Sequence, residues 1–276
     1  MMMAAGAGAA MASGPYVLGG LVAAISGGGG YGWDGSENTA FRAALQTTSN
    51  FGAGGKVSVP ISTVNITDTG NLTGIQGLVI PWWFNSSASA TQVNQVVAFF
   101  HAGGDLLIGQ DSSSNDPVGI AIGVPTIDNS GNIWTPSGFF AAGPFGPVGT
   151  FNTSGEYGYF TTSSITSTNG TVASRDASSN ITTAVWPKGV FCPTCGALAI
   201  IADIDVWTTQ ANYTSFNNDA LFSLNVVAYI LQNSGNFVAP PASAPPTTPA
   251  PTSLWLALIG LMSAGLYYGY RNRHPA

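Results

Sequence analysis

Apolar and polar positions along this chain follow two different periods, and the periods divide it into elements. "GLVAAIS" (20–26) is apolar throughout and runs into four glycines, Gly27 to Gly30. That predicts a buried strand followed by a loop. In "SENTAFRAALQT", Ser36 stands as an N-cap, and Ala40, Phe41, Ala44 and Leu45 make one apolar helical face. "KVSVPISTVNI" alternates with period two, a strand near 57–63. "GLVIPWW" (77–83) is a buried strand over 77–82, closed by Pro81 and two tryptophans. The clearest helix is "SASATQVNQVVAFFHAGG". Ser89 and Gln92 have the spacing of a capping box, Val93, Val96, Val97 and Phe100 form the stripe, and Gly103 is the stop. "DLLIGQD" predicts a strand over 105–110, and "ALAIIADIDVWTT" a long one near 197–206. "NNDALFSLNVVAYILQ" (217–232) is the last helix, capped by Asn218 or Asp219.

Strand, helix and strand in succession with short connections make a βαβ unit, whose strands are parallel. The expectation is an α/β domain with a mainly parallel sheet and helices on both faces. Residues 126–190 break the pattern. They are rich in Gly, Ser, Thr and Asn, with short pieces such as "EYGYFTTSSI", and are read as an insertion of loops and antiparallel strands.

The two ends differ from the body. Leu254 to Tyr270 is seventeen residues without a charge, with Trp255 near one end and Tyr267, Tyr268 and Tyr270 near the other. Arg271 and Arg273 follow. This predicts a short transmembrane helix with a cytoplasmic C-terminus; the competing reading is a buried C-terminal core helix. "APPASAPPTTPAPTS" before it is an extended Pro-rich spacer. The tail resembles the PEP-CTERM sorting signal of Gram-negative bacteria, with Pro249-Ala250-Pro251 standing where that signal has Pro-Glu-Pro. The resemblance implies export, a transient inner-membrane stage, processing by an exosortase-type enzyme, and release to the cell surface or beyond. At the other end, "MMMAAGAGAAMASGPYV" has no Lys or Arg, but Ala10-Met11-Ala12 fits a signal-peptidase site. The expected organisation is a signal-peptide remnant at 1–12, the α/β domain at 13–235, the linker at 236–252 and the sorting tail at 253–276.

Charge narrows the partners. Only 7% of residues are charged, against about 25% in an average soluble domain. Before residue 220 there are twelve carboxylates and four cations, Arg42, Lys56, Arg175 and Lys188, so the body carries about −8. That argues against nucleic acid, which needs a basic face. Cys192 and Cys195, in "FCPTCGAL", have only His101 and His274 as possible histidine partners. A structural zinc site is disfavoured on that count, and a small-loop disulfide is expected.

"FFHAGGDLLIGQD" together with "GALAIIADIDVWTT…NNDALFSLNVVAYIL" resembles the class I glutamine-amidotransferase-like superfamily, and "GPFGPVG" (143–149) resembles its exported relatives. The resemblance implies a flavodoxin-like fold. It also implies a nucleophilic Cys on the turn after "DLLIGQD", but here that turn reads Gln110-Asp111-Ser112-Ser113, so no catalytic residue is assigned. A Ser112 nucleophile lacks a visible base.

In an open parallel sheet, ligands bind beyond the carboxyl ends of the strands. Following the predicted strands to that edge gathers Asp34, Trp82, Trp83, Asp111, Asp205 and Asn218 as candidate ligand-binding residues. Carboxylates beside tryptophans suit a glycan or a hard cation such as Ca²⁺. The same residues serve equally as turn caps, helix caps and core. No cofactor is required. These features point to an exported, C-terminally anchored surface or matrix protein, non-enzymatic, with extracellular polysaccharide as its candidate partner. The alternative is a degenerate or novel extracellular hydrolase acting on glycan or peptide.

Overall fold

Where the chain is apolar at every position, it runs through the middle of a sheet. The computed structural model describes residues 14–153 and 155–235. Its strands are β1 (Tyr16–Leu21), β2 (Ile61–Ile66), β3 (Gly77–Pro81), β4 (Asp105–Gly109), β5 (Ile127–Asp128), β6 (Ile133–Pro136), β7 (Ala142–Gly143), β8 (Gly146–Pro147), β9 (Phe151–Asn152), β10 (Gly158–Tyr159), β11 (Thr171–Asp176), β12 (Ile181–Trp186) and β13 (Leu198–Ile201). The α-helices are α1 (Ala23–Ser26), α2 (Thr39–Gln46), α3 (Ala90–His101), α4 (Pro117–Ile122), α5 (Thr162–Ser167) and α6 (Asn218–Asn233). Every residue of β3, β4, β12 and β13 is buried.

Nine strands form one sheet in the order β2-β1-β3-β4-β13-β12-β11-β6-β9. From β2 to β13 neighbours are parallel. From β13 to β9 they are antiparallel. The sheet is therefore mixed, which corrects the expectation of a mainly parallel, flavodoxin-like sheet. The cause lies in residues 126–190, which add four strands to the main sheet. β11 and β12 are joined by a tight hairpin, and a hairpin can only pair its strands antiparallel. Asp176 builds that turn: its Oδ1 accepts from the N–H groups of Ser178 and Asn180, both at 2.8 Å. Ser179 takes the left-handed conformation, φ 69°.

Several boundaries shift for local reasons. The first strand lies at 16–21, and the second half of the apolar run "GLVAAIS" becomes α1, because Asp34 Oδ1 accepts from Ala23 N–H at 2.8 Å and fixes a helical start. The strand expected near 57–63 begins at Ile61. β13 stops at Ile201, where Asp203 turns the chain by accepting from Asp205 N–H at 2.8 Å. The N-cap position of α2 is Asn38 rather than Ser36, and Asn38 is buried, donating to Tyr31 O and Gly32 O. α6 is capped by Asn217, whose Oδ1 accepts from Ala220 N–H. α3 carries the Ser89–Gln92 capping box. α6 packs on β4 and β13, so the core is a sheet-on-helix layer.

Among the described residues no helix is long and apolar enough to cross a membrane. The segments 1–12, 236–252 and 253–276 lie outside the described residues. The fold class is thus corrected to a mixed α/β sheet with no membrane helix among its described elements. With no membrane-spanning helix among the described residues, the membrane partnership and the transient inner-membrane stage are withdrawn. Cys192 and Cys195 are joined by a disulfide in the loop that leads into β13.

Candidate functional site

The strand ends beyond β4 and β13 lie side by side because the two strands are parallel neighbours, with Ile201 opposite Gly109. Asp111 and Asp203 follow them and meet there. Asp111 is only 6% exposed, and its Oδ1 accepts from Ile204 N–H at 2.7 Å. Among the described residues its Oδ2 has no hydrogen-bond partner. Asp203 is fully buried. Its Oδ1 holds the turn to Asp205, and its Oδ2 is buried without a hydrogen-bond partner. Thr153 lies close enough to Asp203 to favour its charged form, but donates its own hydroxyl to Asn132 O.

The electrostatics follow from this crowding. Burial pushes the Asp111 carboxyl up to about 8, against the pull of the Ile204 N–H, and the charges of Asp205 and Glu156 push it further. Burial likewise drives Asp203 well above the ordinary carboxylate range, with Asp111 and Asp205 adding to the effect. Both shifts favour the protonated carboxyl, as expected where like charges share a dry site. Asp205 is half-buried, and accepts from Thr209 Oγ1 at 2.5 Å and Thr208 Oγ1 at 3.4 Å. Tyr31 lies close enough to Asp205 to feel its charge. Burial first, then the charge of Asp205, raises the Tyr31 phenol to about 12.

A polar cleft of about 430 Å³ opens over this edge, lined by Asp111, Ser112, Ser114, Asp128, Glu156 and Tyr157 among others. Its far wall comes from the 126–190 region. β5 and β10 pair antiparallel and bring Asp128 and the Glu156–Tyr157 loop together. The loop is tied down by Gly158 N–H on Ala202 O (2.8 Å) and by Asn129 and Ser130 N–H on Tyr157 O (both 3.1 Å). Gly155 has φ 88°, and a Cβ there would stand 3.4 Å from Asp205 Oδ2. Asp128 takes Ser113 N–H at 2.6 Å and Ser113 Oγ at 3.1 Å.

Of the six candidates from sequence, Asp111 lines the cleft, and Asp205 lies close enough to act on its carboxyl. Trp82 packs on Tyr31, the rings meeting edge-on with centroids 4.8 Å apart, and Tyr31 in turn feels the charge of Asp205. Trp82 itself sits at φ 40°, an uncommon conformation for a bulky residue. Trp83 is fully buried core. Asp34 fixes the start of α1, and Asn218 ties down the 149–150 loop through Gly149 N–H and Thr150 O. Sequence reasoning did not place Tyr31, Asp128, Glu156, Tyr157 or Asp203 among the site residues. The carboxylates do not form a ready metal cage. Among the described residues, the group of three or more His, Cys, Asp or Glu side chains converging tightly enough for an ion lies elsewhere. Ser112 shares its hydroxyl with Ser114 at 2.8 Å and has no imidazole beside it among the described residues; His101 ends the helix that leads into the opposite, amino-terminal edge of β4.

No family model matches the chain. No curated protein matches it either. Solved structures with some likeness include an exo-β-1,4-mannosidase from Opitutaceae bacterium strain TAV5, 10% identical, with a TM-score of 0.48. The match covers 79% of this chain and 36% of the mannosidase, so the chain spans about a third of that protein. A ThuA-like protein from Bacteroides uniformis ATCC 8492 is 9% identical over 82% of this chain and 96% of its own, with a TM-score of 0.47. The mmIFT52 N-terminal domain is 12% identical over 62% and 84%, with a TM-score of 0.45. At these identities and scores the likenesses carry no activity across. The resemblances to PEP-CTERM proteins and to the class I glutamine-amidotransferase-like superfamily are corrected accordingly. No family model supports either, the sheet is mixed, and the expected nucleophile position is an Asp-Ser turn without a base. The exosortase-type partner, the exported surface location and the extracellular hydrolase alternative rested on them and are withdrawn; the polysaccharide partner rested on carboxylates beside two tryptophans, and with Trp83 buried in the core it is withdrawn too.

Proposed function

We propose that residues 13–235 form a binding domain whose ligand is a small, uncharged, hydroxyl-rich molecule, held at the cleft over β4 and β13. The observation that carries this reading is Asp111. Its carboxyl lines the cleft, leaves Oδ2 without a hydrogen-bond partner among the described residues, and is raised by burial to about 8. At neutral pH it offers an O–H donor instead of a second full charge. Ser112 and Ser114 supply hydroxyls, Asp128 and Glu156 supply acceptors, and Tyr157 supplies a ring. A few polar groups converging in a cleft of several hundred Å³ is the usual form of a small-molecule site. Asp205 and, through Tyr31, Trp82 belong to the wall behind it. Asp34, Trp83 and Asn218 have structural work elsewhere and are left out of the site.

The test is calorimetric titration with monosaccharides, inositols and Ca²⁺ at about pH 6 and about pH 9.5, on either side of the Asp111 transition. Polyol binding is expected at the lower pH and its loss at the higher one. Asp111→Ala is expected to weaken binding by about tenfold, the equivalent of ~1.4 kcal/mol for one hydrogen bond. Asp111→Asn, which keeps a donor at every pH, is expected to bind at both. Tightening of Ca²⁺ at high pH, with no polyol binding at either, contradicts the reading.

A further inference from the structure

The amino-terminal edge of the same sheet holds a second constellation. His101 is the last residue of α3, and the Cys192–Cys195 loop leads into β13. Ninety residues separate them in sequence, yet one ring nitrogen of His101 and the sulfurs of Cys192 and Cys195 lie within 4.8 Å of one another. The fold fixes this meeting twice. Gly196 N–H donates to Phe100 O at 3.0 Å, joining the residue after Cys195 to the residue before His101. The rings of Phe100 and Phe191 meet edge-on at 5.4 Å beside it. The loop is itself closed by Cys195 N–H on Cys192 O (3.0 Å) and Gly189 N–H on Cys195 O (2.9 Å). His101 is exposed, Cys192 is half-buried and Cys195 is fully buried.

We propose that reduction of this disulfide turns the corner into a metal site, in which two thiolates and the His101 imidazole bind Zn²⁺. Two sulfurs and one nitrogen are a set that Zn²⁺ accepts, and three protein ligands leave a fourth position for water. In the oxidised chain the sulfurs are spent on each other and only the imidazole remains, so the redox state of the bridge decides occupancy. The reductant is a dithiol. One of its thiolates attacks Cys192 Sγ, the more accessible sulfur; the protein S–S bond breaks and Cys195 leaves as a thiolate. The second thiol of the dithiol then displaces Cys192, closing the reductant to its own disulfide. Two electrons enter the protein, and the two cysteines take up protons that Zn²⁺ releases on binding. In a tetrahedral site the sulfurs then stand on the order of 3.7 Å apart, given Zn–S bonds of about 2.3 Å. Opening the bridge permits that separation without moving the helix end that carries His101.

The experiment uses the full chain, reduced anaerobically with a phosphine and freed of it, with Co²⁺ as the spectroscopic stand-in. One Co²⁺ per reduced chain is expected, with a thiolate-to-cobalt charge-transfer band in the near ultraviolet that Zn²⁺ abolishes. The oxidised chain is expected to give no such band. His101→Ala is expected to lower affinity by at least the ~10–100-fold that loss of an outer ligand contact costs. His101 is exposed, so circular dichroism of that variant should match wild type. A reduced chain without the band, a reduced chain that has lost its fold, or a His101→Ala variant with wild-type affinity each overturns the proposal.

Discussion

Asp111 and Asp203 show how one environment gives two carboxyls different duties. Asp111 keeps one oxygen toward the cleft, whereas Asp203 is sealed beneath it with an unpartnered Oδ2. A buried acceptor without a donor is a standing cost. Because the folded pKa of Asp203 is raised above its unfolded value of about 3.9, the native state holds a proton that the unfolded chain has released. Its contribution to stability is therefore complete below that value and is lost as pH rises toward the folded pKa. Asp203→Asn removes this titration. The variant is expected to gain on wild type by ~1–3 kcal/mol in urea unfolding over the pH window that opens above the unfolded value of about 3.9. A constant difference across that window contradicts the account. At this scale the sequence was legible only in part. Asp111 follows an apolar run directly, so its place at a strand's carboxyl end could be read. Glu156 and Tyr31 could not, because a two-residue strand pair and a turn of glycines put them there.

Elements were legible where one local signal was strong. α3 has its cap, stripe and stop in consecutive sequence, and the fold keeps all three. Ser89→Ala removes the Ser89 hydroxyl that Gln92 N–H donates to. It is expected to cost about 1 kcal/mol of stability by denaturant titration, with the fold retained. No loss at all would mean that tertiary packing alone defines that helix end. β3 and β4 were also readable, as short apolar runs with punctuation at both ends. The first strand was misplaced because "GLVAAIS" carries no internal mark; what divides it is the Asp34 carboxylate, eleven residues from the N–H it accepts. The antiparallel half was least legible. β11 reads "TVASRD", with a register irregularity against β12, and neither alternation nor a continuous apolar run announces it. Its place in the main sheet depends on pairing with β12, whose every residue is buried.

On the scale of the whole molecule, the parallel half of the sheet has two working ends. Beyond the carboxyl ends of β4 and β13 lies the acidic cleft, and at their amino ends lies the Cys–His corner. Between them Asp105 joins three strands at one end of the core, accepting from Tyr16 Oη at 2.8 Å and Ala197 N–H at 2.7 Å, and burial lifts it to about 6. Asp116 and Asp219 are likewise raised by burial, each to about 7. The fold thus raises several carboxyls toward neutrality, and among the described residues only Asp105 has a cation, Lys188, pulling against the rise. The central claim is that Asp111 is one of these and faces the cleft with its proton in place. Carbon-detected NMR of the aspartate side-chain carboxyls, titrated from about pH 3 to about pH 10 and assigned by the loss of one resonance in Asp111→Asn, tests it most directly. The account predicts that the Asp111 carboxyl titrates near 8; a midpoint near 4, the value of a solvated aspartate, contradicts it.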